Sequence, residues 1–311
     1  MHCSRCDRPA VIDQPYCGRH ACAPHFLASV DERVRREFHR QLPKFGQGTI
    51  AVALSGGKDS AVALQATSRY FSRRPTVRLV ALTVDEGIPG YRDATIAAAR
   101  RLTEGLGVEH RVVRMEDRLG TTTDRVARAH PEAIPCSYCG VWRRRLLNDA
   151  AREAGADALV LGFNLDDLAQ TVLMNLVRGE VDRLSRMAPH RGRRSGLVPR
   201  LAPLAQVPER EVYLYARLQR LAFDHGECPH AGRAARNVFR EVLWQLEESI
   251  PGTRQSLLRT RERLLERALA EGEAAGPGAC ARCGEPSSGL LCRACELLDV
   301  ARLPVLVPER P

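Results

Sequence analysis

From residue 49 to about residue 177, short apolar runs alternate with stretches whose apolar positions recur at helical spacing. "TIAVAL" at 49–54 leads into a helix from about Asp59, and "VRLVALTV" at 77–84 precedes a helix near 92–105. "VEHRVVRM" at 108–115 follows, and a helix at about 140–154 then leads to "ALVLGF" and a further helix from Leu165. Runs this continuously apolar suit strands buried on both faces, so the pattern predicts an α/β fold: a doubly wound parallel sheet covered by helices. The rhythm stops between 178 and 206, where Arg178, Arg183, Arg186, Arg191, Arg193, Arg194 and Arg200 stand among Gly and Pro and predict a basic loop. Helical patterns return at about 208–221 and 236–270, and "EGEAAGPGA" reads as a flexible linker.

A chain of 311 residues can bury a sizeable core. Met1 runs straight into "HCSRCDRP", and no apolar run reaches the ~18 residues of a membrane span, so a cytoplasmic protein with no membrane partner is expected. Forty-seven Lys and Arg against 37 Asp and Glu leave a charge of +10, mostly from arginine, which favours a polyanionic partner. In a reducing compartment the 11 cysteines point to metal binding or catalysis rather than disulfides.

"TIAVALSGGKDS" carries a strand through Ala53 and Leu54 into Ser55, Gly56, Gly57, Lys58, Asp59 and Ser60 at the start of a helix. Glycines let the backbone approach a phosphate, whose charge is then met by successive N–H groups and the positive helix end. The spacing is not that of a Walker A loop, because Asp59 follows the lysine where Ser or Thr is required. An acidic residue there can instead support Mg²⁺. The second strand, with Thr83 in "ALTVDEG", and the later one, ending in "LVLGFNLDDLAQT", bring their carboxyl ends to the same crevice, where open α/β sheets bind ligands.

The cysteines fall into three groups. Cys280, Cys283, Cys292 and Cys295 form two knuckles with the spacing of a structural Zn²⁺ site. Cys3 and Cys6 form another, completed by either Cys17 with His20 or Cys22 with His25; the latter pair is preferred because a helix begins there and holds ligands more rigidly. This gives an N-terminal zinc finger at 1–30, a main domain at 31–270 and a C-terminal zinc finger at 279–311. With Cys17 set aside, Cys136, Cys139 and Cys228 remain. Three thiolates could hold an iron–sulfur cluster with one iron left open, Cys136 and Cys139 could serve as a redox sulfur relay, or the trio could be core packing. The Pro and Gly around "PCSYCG" place that knuckle in an exposed loop.

SGGKDS at the end of the first strand resembles the PP-loop of ATP pyrophosphatases, which attach AMP to a substrate oxygen and release pyrophosphate. With the terminal knuckles, "PCSYCG", "GFNLDD" and "ECPHA" in the same order, the resemblance narrows to tRNA 2-thiouridine synthetases and spans nearly the whole chain. It implies an ATP-dependent transferase that adenylates the C2 oxygen of a tRNA uridine and replaces it with sulfur. It implies a [4Fe-4S] cluster on Cys136, Cys139 and Cys228, and nucleotide contacts from the loop, Thr83, Arg143 and Gly162. Asp59 and Asp166 are the expected catalytic carboxylates, with Asp167 beside them. The family often has His where this chain has Phe163, and Lys where it has Arg143; it also places its zinc pair where Cys22 and His25 stand. tRNA and the thiocarboxylate of a ubiquitin-like carrier are the implied partners, and homodimerisation stays open. The alternatives are a PP-loop cytidine thiolase or amine-using ligase, and a non-catalytic zinc RNA-binding protein.

Overall fold

The computed structural model describes the chain except for residues 181–182, 185–186, 191–195, 234–235, 271–277 and 303–311. Arg186, Arg191, Arg193, Arg194 and most of the expected linker therefore lie outside the described residues.

Two small hairpins open the chain, β1 (His2–Cys3) with β2 (Cys6–Pro9) and β3 (Ile12–Gln14) with β4 (Arg19–Ala21). Helix α1 (Ala23–Gln41) follows and passes through residue 30, so it joins the first module to the main body without a break. Then come β5 (Gly48–Ala53), α2 (Lys58–Phe71), β6 (Val77–Asp85), α3 (Tyr91–Leu106) and β7 (Glu109–Arg114). Two short helices, α4 (Met115–Leu119) and α5 (Thr123–Ala129), lead to α6 (Pro135–Glu153), β8 (Ala158–Val160), α7 (Leu165–Val177) and β9 (Arg200–Leu201). Helices α8 (Glu209–Leu218), α9 (Arg236–Ser249) and α10 (Thr253–Ala270) precede the last hairpin, β10 (Gly278–Ala279) with β11 (Pro286–Ser287), and α11 (Arg293–Arg302).

The central sheet is parallel in the order β7-β6-β5-β8-β9. Its middle strand is buried on both faces, as continuous apolar runs require. Ile50 and Val52 face a core built with α1, α2 and α8, whereas Ala51 faces Ala150, Ala151 and Ala154 of α6. The doubly wound fold is thus as expected, with three corrections. The basic loop contains the fifth strand β9, paired to β8 through Leu159 and Val160. The pattern at 236–270 is two helices, broken at Pro251 and Gly252, where Gly252 has φ of +94°. The "PCSYCG" knuckle is no loop: α6 begins at Pro135, a residue suited to the first helical turn because its missing N–H would have no partner there.

The two terminal modules dock differently. Glu211 of α8, buried, accepts hydrogen bonds from Gln14 (2.8 Å) and Tyr16 (2.6 Å) of the first module and pairs with Arg33 of α1. The C-terminal module packs on α6: Trp142 Nε1 donates to the Ala294 carbonyl (3.2 Å), and buried Glu285 pairs with Arg152 (3.1 Å).

Candidate functional site

The phosphate loop closes on itself before α2 starts. Ser60 Oγ accepts from the Ser55 N–H (3.1 Å) and donates to the Gly57 carbonyl (2.9 Å). Gly56 has φ of +90°, and a Cβ there would stand 2.1 Å from the Thr95 carbonyl oxygen, so no other residue fits. Gly162 presses on the loop from the other side; its Cβ would meet backbone atoms of Asp59 and Ser60 at 2.9 Å. Ala53 pairs with Leu82, and the Leu54 N–H donates to the Leu82 carbonyl (2.8 Å). Thr83 is buried and donates to the Leu54 carbonyl (2.6 Å), which leaves its oxygen to meet His110 Nε2 at 2.7 Å.

The acidic side of the crevice is organised around Lys58. Its Nζ lies 2.9 Å from Asp59 and 2.7 Å from Glu209. Burial works against the ammonium charge, but the two carboxylates outweigh it and raise the lysine pKa. Asp59 also accepts from Asn164 (2.9 Å), the N-cap of α7. The neighbouring acids of that helix diverge. Asp166, expected to face the nucleotide, instead accepts from the Glu209 N–H (2.7 Å) and pairs with Arg254 of α10 (2.8 Å), so its carboxylate ties three helices together. Asp167 is the acid whose field reaches Asp59; burial pushes it up to about 6, against the pull of Arg236.

The three internal cysteines converge through folding. Cys136 and Cys139 occupy the first turns of α6. Their partner segment is fastened to the phosphate loop, where the Asp224 N–H donates to the Gly56 carbonyl (2.9 Å) four residues before Cys228. Cys136 Sγ reaches the His230 carbonyl at 3.9 Å, and His230 is itself held by Asp124 of α5 (2.8 Å). Burial raises the Cys139 and Cys228 thiols, and the two feel each other electrostatically. Arg143, one turn after Cys139, pairs with buried Glu86 (3.4 Å) and adds a cation beside both thiols. The three sulfurs do not gather within the 4.8 Å that encloses each terminal quartet.

Those quartets are Cys3, Cys6, Cys22 and His25, and Cys280, Cys283, Cys292 and Cys295. At the first, His25 Nδ1 stands 3.3–3.5 Å from all three sulfurs, edges that fit a tetrahedron around one ion with bonds of about 2.0–2.3 Å. Cys22 is the N-cap of α1 and Phe26 below it is fully buried, so the preferred pair is the one brought together. Cys17 and His20 stay apart from it on the second hairpin, His20 against Asp13 (3.0 Å).

Of the α6 arginines, Arg143 and Arg144 face the crevice side, whereas Arg145 turns to Asp149 (2.7 Å) and to Cys283 Sγ (2.9 Å) of the C-terminal module. Arg144 is lowered to about 10 by burial and by the like charges of Arg200, Arg143 and Arg236. Sequence reading missed Glu86, Arg92, Glu209 and the His230–Asp124 pair. Only Glu86 left a sign, an acid at the carboxyl end of a strand that faces the crevice.

The PP-loop domain family matches residues 30–247. The tRNA 2-thiolation protein NcsA of Haloferax volcanii is 42% identical, over 96% of this chain and 98% of its own. Cytoplasmic tRNA 2-thiolation protein 1 of Bos taurus is 39% identical over 96% of this chain and 87% of its own. Among solved structures, the U34-tRNA thiolase NcsA from Methanococcus maripaludis, with its [4Fe-4S] cluster, superposes with a TM-score of 0.83 at 34% identity and covers 95% of each chain.

Proposed function

The chain belongs to the PP-loop family, among its tRNA 2-thiolation proteins, and on that premise we propose how its crevice replaces the C2 oxygen of a tRNA uridine with sulfur. That carbonyl is urea-like, weakly electrophilic, and bears an oxygen that will not leave unaided. Its oxygen attacks the α-phosphorus of ATP, pyrophosphate departs, and the uridine becomes an O-adenylate. Sulfide then attacks C2, the C2–O bond breaks, and AMP leaves with the original oxygen. No net oxidation occurs.

The loop residues Ser55–Ser60 hold the phosphates, with Gly56 and Gly162 keeping the backbone close enough to donate. Lys58 offsets charge on the departing pyrophosphate, and Asp59, with Asp167 and Glu209 near it, supplies the hard oxygen donors that suit Mg²⁺. We assign the second catalytic carboxylate to Asp167 rather than Asp166, whose oxygens are already committed to Arg254 and the Glu209 amide. Cys136, Cys139 and Cys228 suit a [4Fe-4S] cluster: three soft donors, spread more widely than a single ion needs, and no fourth cysteine among the described residues nearby. When bound, such a cluster supplies an iron with an open position for sulfide. The terminal quartets suit Zn²⁺, and we read them as modules at 1–30 and 279–311 flanking a main domain at 31–270, with α1 crossing the first limit.

Arg144, Arg200 and Arg236 would meet RNA phosphates at the crevice mouth. The sulfur donor is the thiocarboxylate of a ubiquitin-like carrier, the setting is the cytoplasm, and a homodimer is the form to test first. No described helix is long and apolar enough to cross a membrane.

The observation that carries this reading is the tie from Asp224 to Gly56, which brings the Cys228 segment onto the phosphate loop. The test is anaerobic: the protein with unmodified tRNA, ATP, Mg²⁺ and sulfide should form AMP, pyrophosphate and 2-thiouridine in equal amounts. Asp59→Ala should lose pyrophosphate release while keeping its zinc. Undiminished release in that variant would remove the loop from the reaction.

A further inference from the structure

A line of short contacts joins the phosphate loop to the cysteine trio through groups that the reaction above leaves unused. Arg92 of α3 is buried and donates from Nη1 to the Ser55 carbonyl (3.1 Å) and to Thr95 Oγ1 (3.0 Å), and from Nη2 to the Val84 carbonyl. Its Nε faces Glu86 Oε2 at 2.8 Å, an ion pair whose angle is not that of a hydrogen bond. The other Glu86 oxygen lies 3.4 Å from Arg143 Nη1. The backbone of Glu86 is pinned as well, its carbonyl accepting from the Thr123 N–H (2.9 Å). Side-chain exposure is 4% for Glu86 and 5% for Arg92 but 49% for Arg143, so a rigid buried pair grips a guanidinium that would otherwise swing.

The charge balance sets the direction of the argument. Two guanidiniums and one carboxylate sum to +1, placed beside Cys139 and Cys228. Removing the carboxylate leaves two like charges facing each other, one of them out of reach of water, and such a pair separates. Arg92 cannot move, because the Ser55 carbonyl, Thr95 Oγ1 and the Val84 carbonyl still hold it. Arg143, with half its surface in solvent, is the one that leaves.

We propose that Glu86 is a positioning residue of the thiolation site: anchored to the phosphate loop through Arg92, it fixes the Arg143 guanidinium beside Cys139 and Cys228. The proposal rests on the thiolation reading given above, and it makes the distance between the activated uridine and the sulfur site a property of Glu86.

The experiment compares Glu86→Gln, Arg143→Gln and the double variant in the full-length protein. For thiolation, kcat and the KM for ATP are separated; iron per chain and zinc per chain are measured alongside. Amide hydrogen exchange is followed in iron-free protein. Glu86→Gln should lower kcat by about 10- to 100-fold, as loss of a supporting contact does, with KM for ATP within about twofold. Exchange should quicken at residues 135–144 and stay unchanged in the terminal modules. The double variant should be no worse than Arg143→Gln, since both changes remove one interaction. Multiplying effects, or exchange unchanged at 135–144, would overturn the proposal. Should Glu86→Gln not fold, Glu86→Asp keeps the charge balance but shortens the reach; the same split at reduced size supports the proposal, and wild-type kcat overturns it. A wild-type protein that fails to thiolate at all would count against the function itself, whereas an active wild type with a fully active Glu86→Gln counts only against the positioning role.

Discussion

The terminal cysteine groups and the internal one are made from the same CxxC knuckle, yet the fold treats them in opposite ways. Each quartet draws four donors within 4.8 Å, with two of them buried at the N-terminal site and three at the C-terminal one, and four protein ligands leave an ion no position for a reactant. The trio draws its thiols from helix α6 and a segment some ninety residues later, keeps Cys136 exposed, and sets them beside charged groups that also touch the nucleotide loop. Closed, local and shielded describes a site for stability; open, assembled over distance and electrostatically supported describes one for chemistry.

The sharpest way to break this contrast is Cys228→Ala. Iron content and thiolation should both fall to background, while two zinc ions per chain and the melting temperature stay close to wild type. Retained iron would show that Cys136 and Cys139 act without Cys228. The observation to make is the broad absorbance near ~400 nm of thiolate-bound clusters, together with metal analysis.

Next in size is the acid whose field reaches Asp59 of the phosphate loop. Asp167→Asn should lower tRNA-dependent pyrophosphate release by about 100-fold or more and leave every cysteine group loaded. Because burial pushes Asp167 up to about 6, the carboxylate forms only as pH rises through that value, so wild-type release should climb between about pH 5 and 7. The sign for stability runs the other way. A raised carboxylate pKa favours the folded state below the unfolded value, near 3.8, and that contribution is lost as pH rises through about 6. A release profile flat across this interval would remove Asp167 from the rate-limiting protonation state.

A smaller effect separates the two quartets from each other. Helix α6 carries Cys136 and Cys139 at one end and rests on the C-terminal module through Trp142, Arg145, Asn148 and Arg152. Cys283→Ala should therefore remove one zinc, lower the melting temperature by about 5 °C, and reduce iron loading. Cys6→Ala should remove one zinc and leave iron intact, because its module leans on Glu211 and α1 instead. Equal iron loss in both variants would mean that the modules stabilise the whole body rather than α6.

Sequence alone made much of this legible, and the gaps have physical reasons. The strand at 48–53 was foreseen to within one residue because a Val/Ile/Leu run buried on both faces has no polar ambiguity. The two terminal quartets were legible because thiols within a few residues of each other largely define their own geometry. The start of α6 was misread because Pro and Gly punctuate loops and first helical turns alike. Strand β9, two residues long among arginines, is too short to show a period. Asp166 and Asp167 are adjacent on one helix and so point about 100° apart; which of them faces the crevice depends on Arg254 and Glu209, far away in the chain. The Glu86 network belongs to the same class, since its members come from β6, α3 and α6 and meet only in the folded protein.

The smallest expected effect tests the rule that separates quartet from trio, namely that a cysteine matters by where it is held and not by its spacing in sequence. Cys17 stands three residues from His20, as Cys22 does from His25, so by spacing alone the two pairs are equivalent. In the fold Cys17 is exposed at the turn between β3 and β4, and its thiol donates to the Gln14 carbonyl at 3.5 Å. Cys17→Ser should keep two zinc ions and the iron, and change stability by no more than about 0.5 kcal/mol. Cys22→Ser, by contrast, should lose one zinc. If Cys17→Ser lost the metal instead, the ligand set at the start of α1 would have to be redrawn.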